Sequence, residues 1–265
     1  MFAATKAAFC GAGSPFYSPL VNFAAGEQGV WLDPNNLATV WQDSARTIPG
    51  AVGSVVGCID DLSGHGHNAV QATTAKKPIL RLNGTTGYRY LEFDGVDDCL
   101  VTPSIDFSAS DEMSIFAAVR KLVNAARILC ELSANYNTNA GSFFVLPDNG
   151  TTRYESSSRG NAGPVSGHAA QSVNAAQPDS AVLSCTHDIS DDLTTIRRNG
   201  AAGLTSGTAN KGAGNFGNWP IYIGQRGAAS LPFNGHLYGL LVRGKVSSGA
   251  GITDMETYLN ARIGA

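Results

Sequence analysis

The residues of this chain best suited to chemistry are carboxylates in one short run, Glu92-Phe93-Asp94-Gly95-Val96-Asp97-Asp98. In an extended strand alternate side chains share a face, so Tyr90, Glu92 and Asp94 project together while Leu91 and Phe93 project the other way. Two carboxylates on one face are the equipment of glycoside hydrolysis, one as nucleophile or base and one as acid. Against that use, Gly95 begins a turn where a catalytic strand would continue. The chain holds six Glu in all, and no other pair has suitable spacing. The same run, together with Asp61 and Asn68, offers oxygens of the kind calcium takes in loops. The other reading of these residues is turn capping, in which Asx side chains bond neighbouring N–H groups. Capping is the reading the flanking glycines favour, so no cofactor is expected, with calcium as the alternative. Asp188, Asp191 and Asp192 form a second acidic group that reads as a solvated loop.

Other reactive types lack partners. His65 and His67 sit two apart in a glycine-rich turn, and nothing nearby marks a third or fourth metal ligand. His168, His187 and His236 are isolated from any nucleophile motif such as Gly-x-Ser-x-Gly. Gly11-Ala12-Gly13 and Gly212-Ala213-Gly214 open no helix and carry no Lys-Ser/Thr, so they are not phosphate loops. Sugar binding uses an exposed aromatic platform flanked by amides and carboxylates. Tyr136, Tyr154, Phe216 and Trp219 lie in loop-like settings and are the glycan-binding candidates. Trp31 and Trp41 lie in strand-like runs and read as core.

The elements that must position these residues are short strands. Apolar or β-branched runs occur at 30–32, 37–43, 52–59, 78–82, 88–93, 114–120, 127–132, 142–146, 151–155, 181–187, 193–198, 221–224 and 233–242, with turn signals between them. Asp148-Asn149-Gly150 and Asn199-Gly200 are hairpin turns. Thr253 to Arg262 alone reads as helical: Thr253 can cap it, Glu256 follows three residues later, and Met255, Tyr258, Leu259 and Ile263 mark an apolar stripe. Regular short strands without a repeat of domain size mean a β-sandwich.

Composition narrows the function classes. The chain has 265 residues, 43% of them hydrophobic but only 15% charged, and 31 are glycine. A polar, weakly charged, turn-rich surface suits glycan contact or packing in an assembly. With 18 basic and 21 acidic residues the net charge is −3. No cationic surface is available to neutralise phosphates, so nucleic acid is not expected as a partner. No stretch reaches the ~20 apolar residues of a membrane span. The five cysteines (10, 58, 99, 130, 185) are dispersed and odd in number. They read as reduced, buried small hydrophobes rather than a disulfide framework or zinc site. The first residues lack a basic start and sustained apolar run, so they read as retained rather than as a cleaved leader. Residues 1–28 form an N-terminal arm. Its Phe9, Phe16, Tyr17 and Phe23 either pack on the domain or dock on a partner. The domain proper spans 29–265.

Three ordered segments carry a resemblance. Asp61-Leu62-Ser63-Gly64-His65-Gly66-His67-Asn68-Ala69 resembles an Asp-x-Ser-Gly-x-Gly-x-x-Ala turn. Tyr90 to Asp98 resembles a strand ending Phe-Asp-Gly-x-Asp-Asp. Ile221 to Gly224 followed by Phe233 to Val242 resembles a strand, glycine, loop and last strand. Together they are similar to the laminin-G-like, concanavalin A-like jelly-roll family. The implied fold is an all-β jelly-roll sandwich with a short N-terminal arm and a C-terminal helix. Glucanases on that fold resemble one another in a Glu-x-Asp-x-Glu strand; here Asp97 stands in place of the last Glu. Gly29-Val30-Trp31-Leu32-Asp33-Pro34, Trp41-Gln42-Asp43 and Tyr258-Leu259-Asn260-Ala261-Arg262 are similar to a subset encoded in tailed-bacteriophage and prophage structural regions.

That likeness implies a non-enzymatic virion protein, tail-tip or fibre-associated or capsid-decorating, folded in the host cytoplasm. Its expected partners are other virion proteins, further copies of itself and host cell-surface glycan. The alternatives are a polysaccharide depolymerase on the same fold and a ligand-free cement protein. Fold alone does not choose among them.

Overall fold

The computed structural model describes residues 17–162, 170–203 and 207–264. They fold as two antiparallel sheets and one α-helix. The first sheet contains β1 (Gly29–Leu32), β5 (Ile79–Leu82), β6 (Arg89–Asp94), β8 (Glu112–Lys121), β13 (Asp179–Asp188), β14 (Leu193–Arg198), β15 (Ala201–Ala202) and β17 (Asn234–Arg243). Its order is β15-β14-β13-β8-β17-β6-β5, and β1 pairs with the C-terminal half of β17. The second sheet contains β2 (Val40–Trp41), β3 (Cys58–Ile59), β4 (Ala69–Val70), β7 (Leu100–Asp106), β9 (Cys130–Leu132), β10 (Ser142–Leu146), β11 (Glu155–Arg159), β12 (Ala170–Gln171) and β16 (Asn218–Ile223). Its order is β12-β11-β10-β9-β16-β7-β4-β3-β2. The helix α1 spans Gly249–Ile263. No described helix is long and apolar enough to cross a membrane.

Two cores explain why β8 and β17 read as unbroken apolar runs rather than alternating ones. Ile115, Ala117 and Val119 of β8 and Leu237, Leu240 and Val242 of β17 face the second sheet. Phe116, Ala118, Tyr238 and Leu241 face outward, where Met255, Leu259 and Ile263 of α1 cover them. Strands buried on both faces have no solvent side on which polar residues would be favoured. β6 lies at the margin of this cover and keeps its alternation: Leu91 and Phe93 are buried, while Tyr90 and Glu92 are half-buried and Asp94 is exposed.

Several element boundaries differ from the sequence expectation for local reasons. Residues 37–43 hold a turn of 3-10 helix at Leu37–Thr39 before β2. Of residues 52–59 only β3 is strand, because Gly53 adopts φ +89 and turns the chain. β11 begins at Glu155 since Gly150 and Thr152 both have positive φ (+86 and +67), which lengthens the turn. The helix begins four residues before Thr253. Ser248 caps it by accepting from the Gly251 N–H, while Thr253 bonds back to Gly249 O. Gly249 and Gly251 have poor helix propensity and hid that first turn. Gly264, at φ +67, closes the other end.

Of the arm, Phe9 and Phe16 lie outside the described residues. Tyr17 and Phe23 pack against the core under α1, so these two docking candidates are engaged within the chain itself. Ser18 caps a 3-10 turn at Pro19–Asn22, and Glu27 forms an ion pair with Arg243. Cys58, Cys99, Cys130 and Cys185 are buried free thiols.

Candidate functional site

The acidic run at the end of β6 closes a turn. Asp94 Oδ1 accepts from the N–H groups of Val96 (2.8 Å) and Asp97 (3.4 Å), and Asp98 Oδ2 accepts from Asp94 N–H (2.9 Å). Gly95 takes φ +79, the left-handed conformation that this reversal requires. Glu92 is paired with Arg81 at 3.2 Å on the neighbouring β5. The two carboxylates therefore share a face, as the alternation requires, but one is held by a cation and the other by the turn.

Asp94, Asp97 and Asp98 also bring carboxylate oxygens within 4.8 Å of one another. Burial pushes the Asp98 carboxyl up to about 6, with the charges of Asp94, Asp97 and Glu92 adding to the effect. An acid whose folded pKa is raised opposes folding increasingly as the pH rises from its unfolded pKa to that value, and fully above it. Asp98→Asn, which keeps the oxygen that accepts from Asp94, should raise stability near neutral pH by up to about 3 kcal/mol. The gain should vanish near pH ~4, where wild-type Asp98 is itself protonated in the fold. Urea melts of both proteins at the two pH values measure this.

Asp61 and Asn68 serve a different turn. The Asp61 carboxylate accepts from the N–H groups of Trp31 (2.9 Å), Ser63 (2.8 Å) and His67 (3.0 Å), and from Ser63 Oγ (2.7 Å). Asn68 Oδ1 accepts from Asp61 N–H at 2.9 Å. These bonds use the oxygens as caps and pin the turn to β1, with His67 Nδ1 2.9 Å from Gly29 O. Asp61 and Asn68 thus act apart from the Asp94 turn, because their oxygens are committed to local N–H groups.

The four aromatic platform candidates prove to be wall material. Tyr154 is fully buried, with its hydroxyl on Asp179 Oδ2 (2.7 Å) and its ring 4.7 Å from Lys121 Nζ. Tyr136 is buried against Phe144, and its N–H donates to the buried Glu131 carboxylate. Phe216 is fully buried beside Phe143. Trp219 is partly buried against the main core and donates from Nε1 to Ala140 O at 3.0 Å. Their polar neighbours signal loops correctly at Tyr136, Tyr154 and Phe216, whereas Trp219 lies in β16, and they say nothing of the tertiary cover on the side chains.

Another group of aromatics lines a cavity of about 510 Å³ between α1, the loop after β1 and the arm. Tyr17, Tyr88 and Tyr258 are all half-buried there, joined by Asn36 and Asp254. At its floor Arg262 forms a two-pronged ion pair with Asp33, and both are buried (side chains 4% and 8% exposed). Arg262 also donates to Tyr238 O (3.2 Å) and to the Tyr258 hydroxyl, which lies 3.3 Å from Asp33 Oδ2. The guanidinium sits 4.4 Å from the Tyr258 ring centroid and 5.8 Å from that of Tyr88. Tyr17 reaches in from the arm, 5.6 Å from Tyr258, and its hydroxyl accepts from Asn22 at 2.8 Å. Burial raises the pKa of both Tyr17 and Tyr258, so both stay neutral phenols. The cavity's volume falls within the range of small-molecule pockets. Sequence reading missed this site because Asp33 looked like a turn opener and Tyr258 like part of an apolar stripe.

No family model matches the chain, and no curated protein does. Solved structures do match. Domain 4 of AbnA, a GH43 extracellular arabinanase from Geobacillus stearothermophilus in complex with arabinotriose, is similar at TM-score 0.56 and 13% identity. That match covers 87% of this chain and 98% of the arabinanase domain. Trypanosoma rangeli sialidase in complex with 2,3-difluoro-KDN is similar at TM-score 0.58 and 13% identity, covering 90% of this chain and 33% of that one. The chain thus spans about a third of the sialidase. Botulinum neurotoxin type C, which interacts with two ganglioside molecules, is similar at TM-score 0.53 and 12% identity, with 88% and 51% covered. At such identities the likeness shows the fold alone: an all-β jelly-roll sandwich with a C-terminal helix.

Proposed function

We propose that this chain is a non-enzymatic carbohydrate-binding module of a tailed-bacteriophage virion. The cavity beneath α1 carries the binding half of this reading. Its tyrosine rings offer apolar faces to sugar C–H groups, and the Asn36 amide, Tyr88 hydroxyl and Asp254 carboxylate suit sugar hydroxyls. That one structural neighbour holds arabinotriose and another interacts with gangliosides supports a glycan as ligand. The non-enzymatic half is supported by Glu92 being paired with Arg81 and Asp94 being spent on its turn.

The virion half rests on likeness to phage structural proteins. Two of the segments that carry it, Gly29 to Pro34 and Tyr258 to Arg262, meet at the cavity floor through the Asp33–Arg262 pair. In that setting several copies face host-surface glycan or a neighbouring subunit, at the tail tip, on fibres or on the capsid.

Glycan-array binding of the purified chain tests the reading. Wild type should bind a subset of bacterial surface glycans, and Tyr88→Ala should lose on the order of tenfold or more in affinity with its circular dichroism unchanged. A blank array with tight binding to capsid or tail protein would point to cement instead. Reducing sugar released from host polysaccharide, and abolished by Glu92→Gln, would point to a depolymerase.

A further inference from the structure

Resting on that reading, we infer that the cavity selects neutral, hydroxyl-rich glycans and rejects carboxylated or phosphorylated ones. The argument is one of charge. Among the described lining residues the one cation is Arg262. An anionic sugar would need it, but Asp33 engages both of its terminal nitrogens, and the Tyr238 carbonyl and Tyr258 hydroxyl take further bonds. Only 4% of the Arg262 side chain is exposed, and the Tyr258 and Tyr88 rings stand against it. Withdrawing it toward a ligand would strand a buried Asp33 carboxylate. Arg89 is not among the lining residues, and its backbone N–H and Nη1 are directed to Asn35 Oδ1 at 3.4 and 3.5 Å.

What remains facing the cavity is acceptor-rich and negative. Asp254 is half-exposed on α1 and takes no hydrogen bond among the described residues. With Asp33 and Asp254 against Arg262, the described lining residues carry one net negative charge. Sugar hydroxyls donate to such a carboxylate, whereas a ligand carboxylate a few ångströms away is repelled. In a partly desolvated site that repulsion corresponds to on the order of tenfold or more in affinity.

Matched glycan pairs differing only at C6 test this: glucose- against glucuronate-terminated, galactose- against galacturonate-terminated oligosaccharides. The neutral member should bind at least about tenfold tighter at low ionic strength, and added salt should narrow the ratio. Asp254→Asn should shrink the ratio further. Equal or tighter binding of the uronate members, or a ratio that ignores Asp254→Asn, would overturn the specificity while leaving a glycan site in place. Binding of neither member of any pair would overturn the glycan reading itself.

Discussion

Lys121→Met should lower the stability of this protein by about 3–5 kcal/mol, because it leaves a buried carboxylate without its cation. Lys121 ends β8, and its Nζ lies 2.6 Å from Asp148 Oδ2 with 1% of either side chain exposed. The ammonium also donates to Thr152 O (3.3 Å) and sits over the Tyr154 ring. Asp148 follows β10 of the opposite sheet, and its other oxygen accepts from Gly150 N–H (2.7 Å). The pair is thus an internal tie between the two sheets. Its net worth is modest because both charges left water, but its half-removal is severe. The thermal midpoint should fall on the order of 10 °C for the single variant. The double variant Lys121→Met/Asp148→Leu should recover much of the loss. A single variant within ~1 kcal/mol of wild type in thermal melts would mean water reaches the pair.

The second large effect is acid sensitivity centred on His187. This imidazole is fully buried between the sheets, 3.1 Å from Ser156 Oγ and 3.1 Å from Thr194 Oγ1, with Phe143 stacked beside it. Burial, with the Lys211 charge adding, pulls its pKa down to about 3. The unfolded chain protonates the same group near pH 6.5. The fold therefore keeps its full stability above that pH and loses about 1.4 kcal/mol per unit as the pH falls toward 3. Asp98 acts in the opposite direction over part of this range, so a difference between variants is the clean readout. His187→Gln is destabilised at neutral pH by lost packing. Its deficit against wild type should shrink by about 2–3 kcal/mol near pH ~4.5, where wild type alone carries the histidine term. Urea midpoints at both pH values measure it; a pH-independent deficit would mean that His187 is charged inside the fold.

Neither of these sites was legible beforehand, whereas the scaffold largely was. The alternation of β6 placed Leu91 and Phe93 in the core and Glu92 outward because a half-buried strand writes its environment into a period of two. Asn199-Gly200 joins β14 and β15 with positive φ at both residues, as that hairpin turn demands. The apolar stripe of α1 is buried where Met255, Leu259 and Ile263 meet the sheet. Signals of this kind are local. The cavity is not: its floor joins residues 229 positions apart, and Tyr17 and Tyr88 come from two further segments. No spacing rule reaches across such a distance. The four aromatic candidates differ for the converse reason, since Tyr154 and Phe216 have polar neighbours in sequence but are buried in the main core. Lys121 sits at the end of a strong strand pattern, where a charged residue ordinarily reaches solvent. Here the loop after β10 folds over it.

The contact between Tyr17 and Tyr258 has a mechanical side. The arm is attached to the body through this ring pair, through Phe23 under α1 and through the Glu27–Arg243 pair. A pull applied along the chain ahead of Tyr17 is borne first by the ring that walls the cavity, and only afterwards by the strands. Tension on the arm and occupancy of the cavity therefore bear on the same few contacts, and a load on one is a load on the other.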